Sequence, residues 1–203
     1  PKIHGGILCD RDIASHVESA SKAGIALIDV IVVNLYPFEQ TIAKPGVTDK
    51  EAIENIDIGG PSLLRGAAKN HRHVSVITDP ADYDRLIQAL DRGTDLRSMR
   101  REFAAKVFDH TARYDRIIAD YFASTADQPA PGAIAGLPEV FSISGKRADI
   151  LRYGENPHQQ AALYGTFHER FHQIQGKQLS FCNILDVTAA SNLIGEFQDP
   201  TLA

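Results

Sequence analysis

The sequence predicts an α/β fold built around a parallel sheet, and three observations carry that prediction. Residues 25–34 hold an almost unbroken apolar run in which Ile28, Val30, Ile31, Val32 and Val33 are interrupted only by Asp29. Such a run is what a strand covered on both faces of a parallel sheet requires. A second β-branched run lies at residues 74–78. Helical periodicity separates the two runs and continues after the second. The order strand, helix, strand, helix points to α and β layers joined by a right-handed crossover.

The individual elements follow from local chemistry. Pro1-Lys2-Ile3-His4-Gly5-Gly6 reads like mid-domain sequence, and the chain is expected to be an internal piece of a longer protein. Thr48 and Glu51 have capping-box spacing ahead of Ala52 and Ile53. Pro61 marks a helix start, after which Leu63, Leu64, Ala67 and Ala68 share one face. Asp79-Pro80 is an N-cap followed by proline at the first helical position, Leu86, Ile87 and Leu90 continue that helix, and Gly93 can end it. Over residues 96–122, Phe103, Val107, Tyr114, Ile117 and Tyr121 recur every three to four positions. The spacing is not a strict heptad, so it predicts one long helix, or two, packed on a core rather than a coiled coil. Residues 124–149, which include Gln128-Pro129-Ala130-Pro131-Gly132, have no periodicity and read as a linker. Beyond them come a polar, turn-rich stretch at 151–160, a short strand at 161–164, and a helix at 186–197 with Ala189, Leu193, Ile194 and Phe197 on one side.

Bulk properties narrow the function classes. With 203 residues, 43% of them hydrophobic and 23% charged, the chain can bury a core without disulfides or metals. Its net charge of -5, from 26 acidic against 21 basic side chains, argues against nucleic-acid binding but leaves room for a local basic pocket. Cys9 and Cys182 stand in no paired motif and define neither a disulfide framework nor a zinc site. No apolar run reaches membrane-spanning length and no signal peptide is visible, so the cytoplasm is the expected compartment and no membrane partner is expected. His71 with His73, and His168 with His172, have spacings that a metal can use, but no recognised motif surrounds them, and no metal site is expected. A nucleophile elbow, a P-loop and a dinucleotide glycine fingerprint are all absent from the sequence.

Four clusters have the residue types for binding or catalysis. Asp57-Ile58-Gly59-Gly60-Pro61 places a glycine pair at a helix start, where free N–H groups suit an anion; the same residues also suit a plain tight turn. Lys69 in Lys69-Asn70-His71 is placed either to complement a helix C-terminus or, in a cleft, to transfer protons. Asn34-Leu35-Tyr36-Pro37-Phe38 ends the first strand, at the edge where parallel sheets bind ligands, or simply lids the core. Arg152-Tyr153-Gly154-Glu155-Asn156-Pro157-His158-Gln159 combines a cation, an aromatic plane, amides and an imidazole, fitting either a phosphate-bearing heterocycle or an ordinary polar loop.

Taken in order, these segments resemble one family closely. His4-Gly5-Gly6-Ile7-Leu8, Val33-Asn34-Leu35-Tyr36-Pro37-Phe38, Asn55-Ile56-Asp57-Ile58-Gly59-Gly60-Pro61 and Ala67-Ala68-Lys69-Asn70-His71 are similar to the inosine monophosphate (IMP) cyclohydrolase domain of the bifunctional phosphoribosylaminoimidazolecarboxamide formyltransferase / IMP cyclohydrolases of purine biosynthesis. His110-Thr111-Ala112 with Tyr114-Asp115 resembles a later helix of that domain. The cluster Arg152 to Gln159, followed by Gly176-Lys177, Leu179-Ser180 and Asn183, resembles the opening of the transformylase domain.

The resemblance implies a methylglyoxal-synthase-like α/β domain at 1–123, N-terminally truncated, a linker at 124–149, and the start of a cytidine-deaminase-like transformylase domain at 150–203. It implies two reactions in the full-length protein. A formyl group passes from 10-formyltetrahydrofolate to aminoimidazole carboxamide ribonucleotide (AICAR), and the product FAICAR then closes to IMP without a cofactor. It further implies that Lys69 is the proton donor or acceptor of ring closure, that Asp57 orients or helps deprotonate the carboxamide, and that Tyr36 helps polarise or hold the formyl group. Val33, Asn34, Asp57, Ile58 and Gly59 would bind substrate in the first site, and Arg152 and Tyr153 in the second. A homodimer is implied as well. The family's early phosphate-binding loops, expected before His4, and its transformylase Lys-His pair, expected after Ala203, do not occur in this sequence. The competing reading is a non-catalytic, nucleotide-binding regulatory module of methylglyoxal-synthase-like fold, which accounts for Asn34 and Gly59-Gly60 but gives no reason for the cluster at Arg152. An interaction protein with a chance α/β pattern explains none of the ordered motifs.

Overall fold

The computed structural model describes residues 1–125, 143, 145–199 and 202. Contacts divide the chain into two compact units, Pro1–Pro129 and Ala130–Ala203. The first unit is mixed α/β around a small parallel sheet. Its strands are β1, Val30–Val32, and β2, Ser75–Ile77, paired in parallel with Val30 opposite Ser75 and Val32 opposite Ile77. Three helices lie between them in sequence: α3 (Phe38–Ile42), α4 (Asp49–Glu54) and α5 (Gly59–Lys69). Two helices precede β1, α1 (Lys2–Leu8) and α2 (Ala14–Lys22), and two follow β2, α6 (Tyr83–Asp91) and α7 (Arg97–Ser124).

The sheet is parallel as expected, but the expected strand over 25–34 shrinks to three paired residues. It is also not covered on both faces, since Val30 is 36% and Val32 49% exposed. The open face is the one that Val30 and Val32 share, while Ile31 packs on the core from the other face; among the described residues β1 also pairs on one side only and is an edge. Strand β2 supplies the buried side of the pair, with Ser75, Val76 and Ile77 all buried.

Local signals formed the helices they encode. The Thr48 hydroxyl accepts from the Glu51 N–H while the Glu51 carboxylate accepts from the Thr48 N–H, the complete reciprocal cap. The Asp79 carboxylate accepts from the Ala81 N–H and starts a 3-10 turn at Pro80–Asp82 that feeds α6, and Gly93 follows that helix with φ +62°. Residues 97–124 form one continuous helix rather than two. The helix α1 was not expected, because two glycines near its middle cost roughly 1 kcal/mol each in propensity. Tertiary contact overrides that cost. The Gly6 carbonyl accepts from the Ile28 N–H, and Ile7 is fully buried.

The main core joins Ile7 of α1, Leu64, Ala67 and Ala68 of α5, Val74 and Val76 at β2, and Phe103 and Val107 of α7. The predicted apolar face of α5 is therefore the buried one. A smaller cluster joins Phe38, Ala52 and Tyr114, with the Phe38 ring edge-on to Tyr114 and to Tyr121. This second cluster carries the candidate site, because it ties α7 to the segments on either side of α4.

The second unit contains β3 (Arg147–Leu151) antiparallel to β4 (Ala161–Tyr164), a short helix α8 (Phe167–Arg170) and α9 (Phe181–Ile194). Residues 126–142 of the expected linker lie outside the described residues, while its first residue, Ser124, closes α7 and its last three, 147–149, belong to β3. The final helix starts five residues before its expected position and ends before Phe197. Its start is set by Ser180, whose hydroxyl accepts from the Asn183 N–H while the Asn183 side chain accepts from the Ser180 N–H. His168 and His172 do not share a helix face, because α8 ends at Arg170.

Candidate functional site

The site in the first unit is built on the turn at residues 55–60. Asp57 lies just before α5 and turns its carboxylate back onto the helix start. One oxygen, Oδ1, accepts from the Gly60 N–H at 2.7 Å, and the other, Oδ2, accepts from the Tyr36 N–H at 3.4 Å. The anion slot expected at Gly59-Gly60 is thus partly filled from within, by a carboxylate at the positive end of the α5 dipole. Gly60 must be glycine for this approach. A Cβ there would stand 2.5 Å from Asp57 Oδ2 and 2.7 Å from a Leu35 methyl.

Asp57 is held from below as well. Its N–H donates to the Tyr114 hydroxyl at 2.8 Å, and that hydroxyl donates to the Asn55 carbonyl at 3.4 Å. Tyr114 is 8% exposed, and burial pushes its phenol above the ordinary value of 10.0; the neighbouring Asp57 and Asp115 charges act in the same direction, and the Asp57 N–H opposes them. The group therefore stays a neutral donor and acceptor at physiological pH. The Tyr36 ring is 57% exposed, and its hydroxyl has no hydrogen-bond partner among the described residues. A cavity of about 160 Å³ opens beside it, lined by Tyr36, Phe38, Glu39, His110, Arg113 and Tyr114. His110 and Arg113 gave no sequence signal as site residues, because the long helix brings them to Tyr36 only through tertiary packing.

Of the other candidates in this unit, Val33 and Asn34 follow β1 directly. The Val33 N–H donates to the Ile77 carbonyl, and the Asn34 amide donates to the Thr78 carbonyl and accepts from the Tyr83 hydroxyl. Asn34 thus locks the carboxyl ends of the two strands together. Ile58, 77% exposed, stands beside Asp57. Lys69 is not brought to this group. It is the last residue of α5, exposed and without a hydrogen bond or ion pair among the described residues. The helix rise puts it about 15 Å along the axis from Gly59.

His71 and His73 are engaged by protein groups. His71 Nδ1 lies 3.2 Å from the Ala68 carbonyl, and His73 Nε2 lies 3.2 Å from Asp10 Oδ1. Asp10, Asp12 and His73 could converge on a metal, their ligand atoms lying within 4.8 Å of one another. Arg72, however, already pairs with Asp12 at 2.9 Å, and the Asp12 N–H donates to Asp10.

In the second unit Arg152 and Tyr153 are positioned by backbone bonds to the start of α9: the Arg152 N–H donates to the Leu179 carbonyl and the Phe181 N–H to the Tyr153 carbonyl. The Arg152 guanidinium lies 4.9 Å from the Tyr153 ring centre, a cation–π pair that holds the fork in one orientation. The Gly154-to-Gln159 turn is closed by the Gly154 N–H on the Gln159 carbonyl and the Asn156 N–H on the Gln159 side chain. A shallow groove of about 480 Å³ runs past Arg152, Gln173, Lys177, Leu179, Asn183 and Asp186. Of these, Gln173 and Asp186 escaped the sequence reading, since only the fold of the 173–177 loop over α9 gathers them.

Among the described residues no helix is long and apolar enough to cross a membrane. The family model described as AICARFT/IMPCHase bienzyme matches residues 67–203. The chain is similar to the "Bifunctional purine biosynthesis protein PurH" of Chlorobium phaeobacteroides (strain BS1), 49% identical over 98% of this chain and 39% of that protein. The protein of the same name from Bacillus cytotoxicus is 46% identical over 100% of this chain and 40% of its own length. A solved structure, "Crystal structure of ForH", is 33% identical, covers 63% of this chain and 66% of that one, and superposes with a TM-score of 0.51. The chain thus spans about two fifths of the length of those curated relatives. A family match across two thirds of the sequence, with near-half identity along all of it, agrees with the order of the motifs around Asp57 and Arg152: this chain belongs to the AICARFT/IMPCHase bienzyme family.

Proposed function

We propose that the full-length protein containing this chain catalyses the last two steps of purine biosynthesis: formyl transfer from 10-formyltetrahydrofolate to AICAR, then dehydrative closure of FAICAR to IMP. The observation that carries this reading is the 49% identity, along nearly the whole chain, to a protein named as a bifunctional purine biosynthesis enzyme. A purely regulatory nucleotide-binding module receives no support from that name. The parallel β1–β2 pair with α5 and α7 packed on it supports a methylglyoxal-synthase-like fold for residues 1–123, and the β3–β4 pair with α9 supports a cytidine-deaminase-like start at 150–203. The protein is proposed to be a cytoplasmic homodimer that takes purine ribonucleotides and no nucleic acid. The net charge of -5 supports the last point.

Ring closure requires the carboxamide nitrogen to attack the formyl carbon. The amide is a weak nucleophile, so it must be held in line and lose a proton, while the formyl oxygen gains charge, takes up that proton and a second one lost by the formamide nitrogen, and leaves as water. Asp57 suits the first task. A carboxylate offers about four lone-pair sites, and Asp57 spends two on Gly60 and Tyr36, leaving capacity for a carboxamide N–H. Tyr36 suits the second, since its exposed hydroxyl is uncommitted and can donate to the formyl oxygen. Val33, Asn34, Ile58 and Gly59 would line the nucleotide. Lys69 enters as the proton donor or acceptor on the family resemblance alone, because Asp57 and Tyr36 are the pair the geometry brings together. In the second unit, Arg152 and Tyr153 would take the phosphate and the heterocycle of AICAR.

The test is direct. Purified full-length protein is mixed with FAICAR in the absence of any folate, and the ultraviolet change on IMP formation is followed. Conversion far above the uncatalysed rate is expected; binding of FAICAR without turnover would return the reading to a nucleotide-binding module.

A further inference from the structure

Tyr114 has an arrangement that core packing alone does not require. Its ring fills the smaller apolar cluster edge-on to Phe38, at 6.3 Å and 68°, and a phenylalanine would do that equally well. The hydroxyl instead reaches out of α7 to residues far away in sequence. It accepts from the Asp57 N–H at 2.8 Å and donates to the Asn55 carbonyl at 3.4 Å, using both its roles on one turn. The same turn then aims the Asp57 carboxylate at the Gly60 and Tyr36 N–H groups. Burial pushes the Tyr114 phenol up, which keeps the donated proton in place through the neutral range.

We infer that Tyr114 is a positioning residue for ring closure: its hydroxyl clamps the 55–57 turn so that the Asp57 carboxylate, beside Tyr36, faces the reacting carboxamide. The inference rests on the assignment of Asp57 proposed above. Removing the hydroxyl leaves the Asp57 N–H and the Asn55 carbonyl unpaired in a half-buried turn, and both seek other partners. The carboxylate then samples orientations in which attack is out of line. The loss belongs to the chemical step, because the Tyr114 hydroxyl acts through the Asp57 turn and spends both its hydrogen-bonding roles there.

The test uses the full-length protein and four variants. Tyr114→Phe keeps the ring on Phe38, so its thermal midpoint should stay within a few degrees of wild type. Its kcat for FAICAR closure should fall about ten-fold with KM within two-fold, and formyl transfer should be unchanged. Tyr121→Phe is the control: it removes a hydroxyl from the same cluster, one that donates to Asp49 at 2.9 Å and not to the Asp57 turn, and should close FAICAR at the wild-type rate. In an Asp57→Asn background Tyr114→Phe should cause no further loss, since a positioning group acts through the residue it positions. A wild-type rate for Tyr114→Phe, an equal loss in Tyr121→Phe, or an undiminished Tyr114 effect in the Asp57→Asn background would each overturn the inference. If Asp57→Asn itself retains full ring closure, it is the assignment of Asp57 that falls, a result told apart from the others by that single variant.

Discussion

Replacing Gly60 by alanine is expected to separate stability from activity. The added Cβ would stand 2.5 Å from Asp57 Oδ2 and 2.7 Å from a Leu35 methyl, so both must shift. Leu35 packs against both apolar clusters and can give only a little, so the Asp57 carboxylate, the end of a short side chain, takes the larger shift. That breaks the 2.7 Å bond from the Gly60 N–H, a hydrogen bond to a charged group worth about 1.5–3 kcal/mol. Alanine returns part of this, because it restricts the unfolded chain by about 0.4–1 kcal/mol. The hydrogen-bond part of the net destabilisation should therefore be about 0.5–2.6 kcal/mol, with the shift of Leu35 adding to it, whereas ring closure loses the whole alignment of Asp57. If that full 1.5–3 kcal/mol appears in the transition state, kcat/KM for FAICAR falls roughly ten-fold to a hundred-fold. Thermal melting and ultraviolet-monitored ring closure on the same preparation give both quantities, and formyl transfer serves as the internal reference. A Gly60→Ala protein that closes FAICAR at the wild-type rate would refute the placement of Asp57 at the reacting atoms. Parallel loss of both half-reactions would show a folding defect instead.

Three further outcomes are expected. Lys69→Ala should reduce ring closure by orders of magnitude and spare formyl transfer; if both or neither are lost in steady-state assays of the two half-reactions, Lys69 has another role. Arg152→Lys should raise KM or Kd for AICAR roughly ten-fold to a hundred-fold, because an ammonium cannot reproduce the two parallel N–H bonds of the guanidinium, and should leave closure of preformed FAICAR unchanged. Glu51 is held below its ordinary value of 4.5 chiefly by the Thr48 N–H and then by the Thr48 hydroxyl. A depressed carboxylate contributes stability that is present above pH 4.5 and is lost as pH falls through its lower, folded value. Glu51→Gln, which keeps an acceptor for the Thr48 N–H but removes the charge, should accordingly lower the melting temperature by more at pH 7 than at pH 3.

Signals confined to a few neighbouring residues were legible in the sequence. The capping pair Thr48–Glu51, the Asp79-Pro80 start, the apolar face of α5 and the α7 periodicity all depend on atoms within one or two turns, and each formed where its residues stand. The two β-branched runs became the paired strands, although only three residues of the first entered the ladder, because pairing needs a partner that propensity cannot supply. The start of α9 lay in the equally local Ser180–Asn183 cap, five residues ahead of the apolar pattern that marked a helix at 186–197. Nothing local encodes α1, whose glycines disfavour a helix until Gly6 meets the chain near Ala26 and Ile28.

The site divides in the same way. The motif around Asp57 marked the residue type and the helix start, and order along the chain marked the family. Only the fold decided that Asp57 fills its own helix terminus and that Tyr114, 57 positions away, holds it there. A hydrogen bond across such a separation forms only once the apolar clusters have brought α7 onto the 55–60 turn. Packing is a property of the whole sequence, and no spacing rule within one segment contains it.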